Sequence, residues 1–94
     1  MNEKPYTLED LKSIRYGIGY CRYGIEEYRI IFNIHDISDI KCIERFDLHE
    51  SYIYTRYWRN FGYENCSKDL LKKLRIAAKN FKRDLEKEIR GFKE

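Results

Sequence analysis

The chain has 94 residues, 43% of them apolar and 16% aromatic, and a net charge of +3. That is the size of one domain with one core, burying roughly 60–65% of the surface its unfolded form exposes, and the composition excludes a disordered chain. Three Cys do not close a disulfide framework, no apolar run nears the roughly 18 residues of a membrane span, and MNEKPYTLED lacks a signal-peptide core. The expectation is a protein of a bacterial or host-cell cytoplasm, with Cys21, Cys42 and Cys66 as reduced thiols and no membrane partner.

Residues 1–6 are a short lead-in. Pro5 cannot continue a helix backwards, and Thr7 then caps the next element. Thr7-Leu8-Glu9-Asp10 resembles a capping box with Asp10 in place of the usual Glu or Gln. Leu8, Leu11, Ile14, Ile18, Cys21, Ile25, Tyr28 and Phe32 step by three or four, which is the helical period. This predicts a helix over about 8–24. Gly17, Gly19 and Gly24 count against an unbroken one, at about 1 kcal/mol each relative to Ala. Arg15-Tyr16-Gly17-Ile18 returns seven residues later as Arg22-Tyr23-Gly24-Ile25. On a helix both copies would face the same way, and their glycines would admit a neighbouring helix. Tyr28–Ile34 is rich in β-formers and reads either as more helix or as a strand.

Asp36-Ile37-Ser38-Asp39 is a turn with a helix-start signal. Ile37, Ile40, Ile43 and Phe46 follow at spacings of three and predict a short helix over roughly 38–47. Leu48–Ser51 reads as a break. Tyr52–Trp58 is the most strand-like run, with Ile40–Phe46 or Tyr28–Ile34 as pairing partners. Gly62–Ser67 is polar and turn-forming. Ser67 then caps a last helix over about 68–91, with Asp69 in its first turn, an apolar stripe of Leu71, Leu74, Ala78, Phe81, Leu85 and Ile89, and Gly91 as a stop.

The fold expected from these elements is mainly α, a small single helical domain whose N-terminal and long C-terminal amphipathic helices pack together. The alternative is α+β, two helices on a small antiparallel sheet drawn from residues 28–60. The two stripes also leave open a packing between chains, as a homo-oligomer.

Catalytic chemistry finds little support. Neither C-x-x-C nor H-x-x-x-H occurs, and Cys42, His49 and Cys66 match no zinc spacing, so no metal and no cofactor is expected. Cys42 with His35 or His49 is the one Cys–His pairing worth naming. Cys66, just before the last helix, is placed where a helix dipole lowers a thiol pKa. Gly17-Ile18-Gly19 is no phosphate loop, because no Lys-Ser/Thr follows it. The expectation is not an enzyme.

Charge says more. Residues 67–94 hold ten Lys or Arg and five Asp or Glu, a balance of +5, against nine and eleven, a balance of −2, in residues 1–66. On a helical wheel Lys68, Lys72, Arg75, Lys79, Lys82, Arg83, Arg90 and Lys93 share an arc of roughly 100°, interrupted only by Glu86. Two functions fit. The first is a non-catalytic interaction protein, a regulator or inhibitor of the kind carried by mobile elements and viruses. It would bind another protein through Tyr52, Tyr54, Arg56, Tyr57, Trp58 and Arg59, residue types enriched at hot spots, and through the basic helix. The second is binding of nucleic acid or a small nucleotide, with Lys68, Lys72, Arg75, Lys79, Lys82 and Arg83 on phosphates and Tyr or Trp stacking on bases. The glycine echo, with Arg15, Tyr16, Arg22 and Tyr23, would supply a further stacking site.

Overall fold

A computed structural model describes residues 5–48 and 56–90. In chain order they form β1 (Tyr6–Thr7), α1 (Leu8–Ser13), β2 (Tyr16–Tyr23), β3 (Glu26–Asn33), β4 (Asp36–Leu48), β5 (Arg56–Asn60), α2 (Lys68–Lys87) and β6 (Ile89–Arg90), with a 3-10 turn at Tyr63–Asn65. Strands β2 to β5 make one antiparallel meander in sequence order, and α2 packs across one face, mostly over β2. The mainly α expectation is therefore overturned, and the α+β alternative describes the architecture. One long helix covers the sheet instead of two, and the sheet begins at Tyr16 rather than near residue 28.

The expected helix over 8–24 ends at Ser13. Its cap forms as read: Thr7 N–H donates to Asp10 Oδ2 at 2.8 Å and Asp10 N–H to Thr7 Oγ1 at 3.2 Å. Beyond Ser13 the same letters satisfy a second period. Tyr16, Ile18, Tyr20 and Arg22 take one face of β2, and Gly17, Gly19, Cys21 and Tyr23 the other. Tyr and Ile favour a strand, and the glycines penalise a helix, so the period of two prevails once β3 supplies a partner. The repeated Arg-Tyr-Gly-Ile splits accordingly. Its first copy lies at the start of β2, while Gly24 and Ile25 of the second form the tight β2–β3 turn. Gly24 has φ +66°, the positive value a type II′ turn demands at its first central position, and Ile25 at the tip is 92% exposed. An odd spacing of seven would put the copies on opposite faces of a strand, so they build no common site.

β4 replaces the helix expected over 38–47. Residues three apart in a strand point to opposite faces, so Ile43 is buried beneath α2 while Phe46 lies on the far side against Trp58. Register shifts between Ile31 and Phe32 and between Phe32 and Asn33 let Phe32 pair with Ile40. Of the strand-like run Tyr52–Trp58, residues 52–55 lie outside the described residues, and Arg56–Trp58 pair with β4 through Leu48↔Arg56, Asp47↔Tyr57 and Phe46↔Trp58, in a strand that runs on to Asn60.

α2 keeps its expected cap, with Leu70 N–H donating to Ser67 Oγ at 3.1 Å. It stops at Lys87 instead of near residue 91, because Ile89 and Arg90 leave the helix to pair in parallel with Tyr6 and Thr7. Ile89 is fully buried there. Leu70, Leu74 and Ala78 of α2 meet Tyr28, Ile30, Phe32, Ile34 and Ile43 of the sheet side in one core, flanked by half-buried Leu71 and Leu85. At that crossing an added Cβ on Gly19 would lie 2.8 Å from the main chain of Ala77 and Ala78. The helix thus rests on bare strand backbone.

Candidate interaction surfaces

Antiparallel pairing sorts the sheet's open face, the one opposite α2, into cross-strand rows. Ile18, Ile31 and Cys42 form an apolar row. Tyr20, Arg29, Glu44 and Asn60 form the next, with Arg29 Nε 2.6 Å from Glu44 Oε1. Trp58 lies across this face: Phe46 stacks on it with centroids 5.0 Å apart, Tyr20 is 5.8 Å away, and the Arg29 guanidinium sits 4.4 Å from its ring centre. Arg56 lies 4.9 Å over Phe46. Charges on this face are largely self-neutralised, since Arg22 pairs with Glu27 at 3.6 Å and Lys41 with Asp39 at 3.3 Å. Tyr16 and Tyr20 remain 50% and 59% exposed.

The expected Tyr/Arg-rich set is divided by this arrangement. Arg56 and Trp58 stand on the open face, where Trp58 is already packed by its neighbours. Tyr57 and Arg59 point to the opposite side, across from Asp47 and Arg45. Tyr52 and Tyr54 lie outside the described residues. Strand alternation is the reason: a run of neighbouring residue types cannot share one face.

The basic stripe of α2 fares differently. Lys68, Lys72, Arg75 and Lys79 are exposed along the helix crest beside a shallow groove of about 420 Å³. Among the described residues none of the four has a carboxylate within salt-bridge distance, and Arg75 Nη2 donates to Tyr63 Oη at 3.0 Å. Lys82 is half-buried near Asp36, where its charge adds to the Ser38 hydrogen bonds that hold the Asp36 carboxyl below its usual value. Arg83 is 3.6 Å from Asp84, both well exposed, a pairing that adds little to stability. Four of the six expected cations therefore form one open strip. Leu71 borders it on one side, and Ile76, 49% exposed, on the other.

Past Ile76 lies a feature that sequence reasoning missed, a groove of about 520 Å³ between α2 and β2. Strand β2 is the edge of the sheet, and among the described residues no strand pairs with its outer side. The sequence signal was there in Ile76 and Phe81, both apolar and both partly exposed, but only the position of β2 gives them a common neighbour.

The three thiols are half-buried and unpaired. Burial pushes all three above the usual cysteine value, with Glu44 adding to the rise at Cys42, Glu64 at Cys66, and Lys73 partly offsetting it at Cys21. The expected lowering of Cys66 by the helix start is not seen; its Sγ donates instead to the Gly62 carbonyl at 3.6 Å. Raised values mean less thiolate at neutral pH. Iodoacetamide at neutral pH is expected to alkylate each cysteine more slowly in the native protein than in urea, with the native rate climbing as pH rises; a native rate above the unfolded one would contradict this. Cys42 lies on the open face and Cys66 packs on the helix side, while His49 is outside the described residues, so the described pair does not converge. Among the described residues no three His, Cys, Asp or Glu side chains are grouped to hold a metal ion, and no helix is long and apolar enough to cross a membrane. No known protein family, no curated protein and no solved structure matches this chain, so geometry alone carries the functional reading.

Proposed function

We propose that this protein is a non-catalytic interaction module that binds an acidic surface of another protein through α2. One observation carries the reading: the cation strip of Lys68, Lys72, Arg75 and Lys79, with no carboxylate in salt-bridge distance among the described residues, is bordered by Ile76, an apolar side chain left 49% exposed. Protein interfaces combine an apolar centre with a charged rim, and burying Ile76 there would be favourable. A phosphate chain would use the cations and gain nothing from the isoleucine. The open sheet face adds no phosphate track, because its arginines and lysine are mostly paired with carboxylates, and Trp58 is already packed on its own neighbours.

The test is capture from the native host with and without nuclease, using wild type, Lys72→Glu/Arg75→Glu/Lys79→Glu and Ile76→Ser. A protein partner should survive nuclease treatment. The triple charge reversal should weaken its binding by about a hundredfold and Ile76→Ser by about tenfold, with both variants still folded. A partner lost on nuclease treatment, or binding indifferent to Ile76→Ser but steeply salt-dependent on duplex DNA or RNA, would transfer the function to nucleic acid.

A further inference from the structure

We infer that the groove between β2 and α2 takes an extended acidic segment of the partner protein, which adds to the sheet as a strand beside β2. This rests on the protein-binding reading above and specifies how the partner is held.

The main chain of β2 sets the geometry. Ile34 N–H donates to the Arg15 carbonyl at 2.9 Å, and antiparallel bonding alternates, so Gly17, Gly19 and Cys21 direct their main-chain groups to β3. The N–H and C=O groups of Ile18 and Tyr20 then face outward, with no strand to receive them among the described residues. Exposed edges are usually blunted by Lys, Pro or a bulge. β2 has neither Lys nor Pro, and its pairing with β3 runs without a register shift over all eight residues. It is an open template for β-augmentation, in which main-chain bonds give affinity and alternate side chains find pockets.

The far wall of the groove selects the occupant. Ile76 and Phe81, 49% and 37% exposed, offer apolar contacts to every second residue of an added strand. Lys73 lines the same groove with Arg22 and one carboxylate, Asp84, and is close enough to β2 for its charge to act on the Cys21 thiol. The cation strip lies just beyond Ile76. An alternation of apolar and acidic residues matches both. A second copy of this chain fits worse. Two-fold pairing of β2 with β2 would bring two α2 helices side by side, each with eight Lys or Arg against three Asp or Glu. That is like-charge repulsion along the whole seam.

The probe is a capped ten-residue peptide alternating Val with Glu, compared with its Val/Lys counterpart and with a version carrying Pro at the positions that would donate to β2. Fluorescence anisotropy at low salt should show the Val/Glu peptide binding about tenfold or more tightly than either control. Amide exchange should slow at Ile18 and Tyr20 on binding, with Gly19 and Cys21 protected already. Tyr20→Pro removes an outward donor and leaves the β3 ladder intact, so it should abolish binding; if that variant does not fold, Ile76→Glu on the helix wall should do the same. Equal binding of all three peptides, or none, overturns the inference. So does protection of Ile18 and Tyr20 in the free protein together with a concentration-dependent dimer, which would assign the edge to a second copy. A nuclease-resistant partner that leaves the Ile18 and Tyr20 amides unprotected would overturn strand addition alone and leave the α2 surface as the binding site.

Discussion

A Gly19→Ala variant is expected to be less stable than wild type by about 1–3 kcal/mol. For a domain of this size the melting temperature should fall by roughly 4–8 °C per kcal/mol. The sign is the informative part. Were residues 8–24 a helix, replacing an interior glycine by alanine would stabilise the chain by about 1 kcal/mol. In β2 the new methyl carbon would lie 2.8 Å from the Ala77 carbonyl carbon and the Ala78 nitrogen, so α2 must lift off the strand. Backbone cannot rotate aside as a side chain can. Gly17 offers the contrast. An added Cβ there would meet the tip of the Phe32 ring at 2.6 Å and Phe81 at 2.9 Å, both side chains. A smaller residue at position 32 should therefore relieve part of the cost of Gly17→Ala and none of the cost of Gly19→Ala. Thermal melts of the single and double variants measure this coupling directly. A rise in melting temperature for Gly19→Ala would contradict the placement of α2.

Phe32→Ala should have the larger effect, a loss of about 3–5 kcal/mol. Phe32 is fully buried, pairs with Ile40 through the shifted register, and meets Phe81 edge-on with centroids 6.1 Å apart. Removing its ring leaves a cavity between sheet and helix that Gly17, with no side chain, cannot fill. Domains of this kind are stable by about 5–15 kcal/mol in all, so the variant should sit near its folding threshold. Urea unfolding should show a lower midpoint with an unchanged slope if the fold survives. A midpoint within error of wild type would mean that Phe32 does not hold the sheet to α2.

Strand addition and core packing place opposite demands on β2. Its inner face gives up side chains at Gly17 and Gly19 so that α2 can approach. Among the described residues its outer main-chain groups have no strand partner on that same edge, where Ile76 and Phe81 of the helix overhang. The glycines that make the helix–strand contact close thus also bring the helix wall within reach of anything that pairs with β2.

The sequence by itself determined the features that depend on neighbours three or four residues apart. The Thr7–Asp10 box, the Ser67 cap, most of α2 and the cation crest are local, because a helix closes its own hydrogen bonds and displays its faces at a fixed period. It also determined that charge is concentrated in the last third of the chain. Tertiary structure alone decided the rest. Residues 14–48 contain enough apolar side chains to match a period of two and a period near four at once, and only the pairing of β2 with β3 and β4 chooses between them. That choice reversed the meaning of the glycines, from weak points of a helix to the seat of α2. It scattered Arg56–Arg59 over two faces, because strands alternate where helices do not. It also made the groove, since an edge strand and a helix wall supplied by residues about sixty positions apart have no common signature until the chain folds.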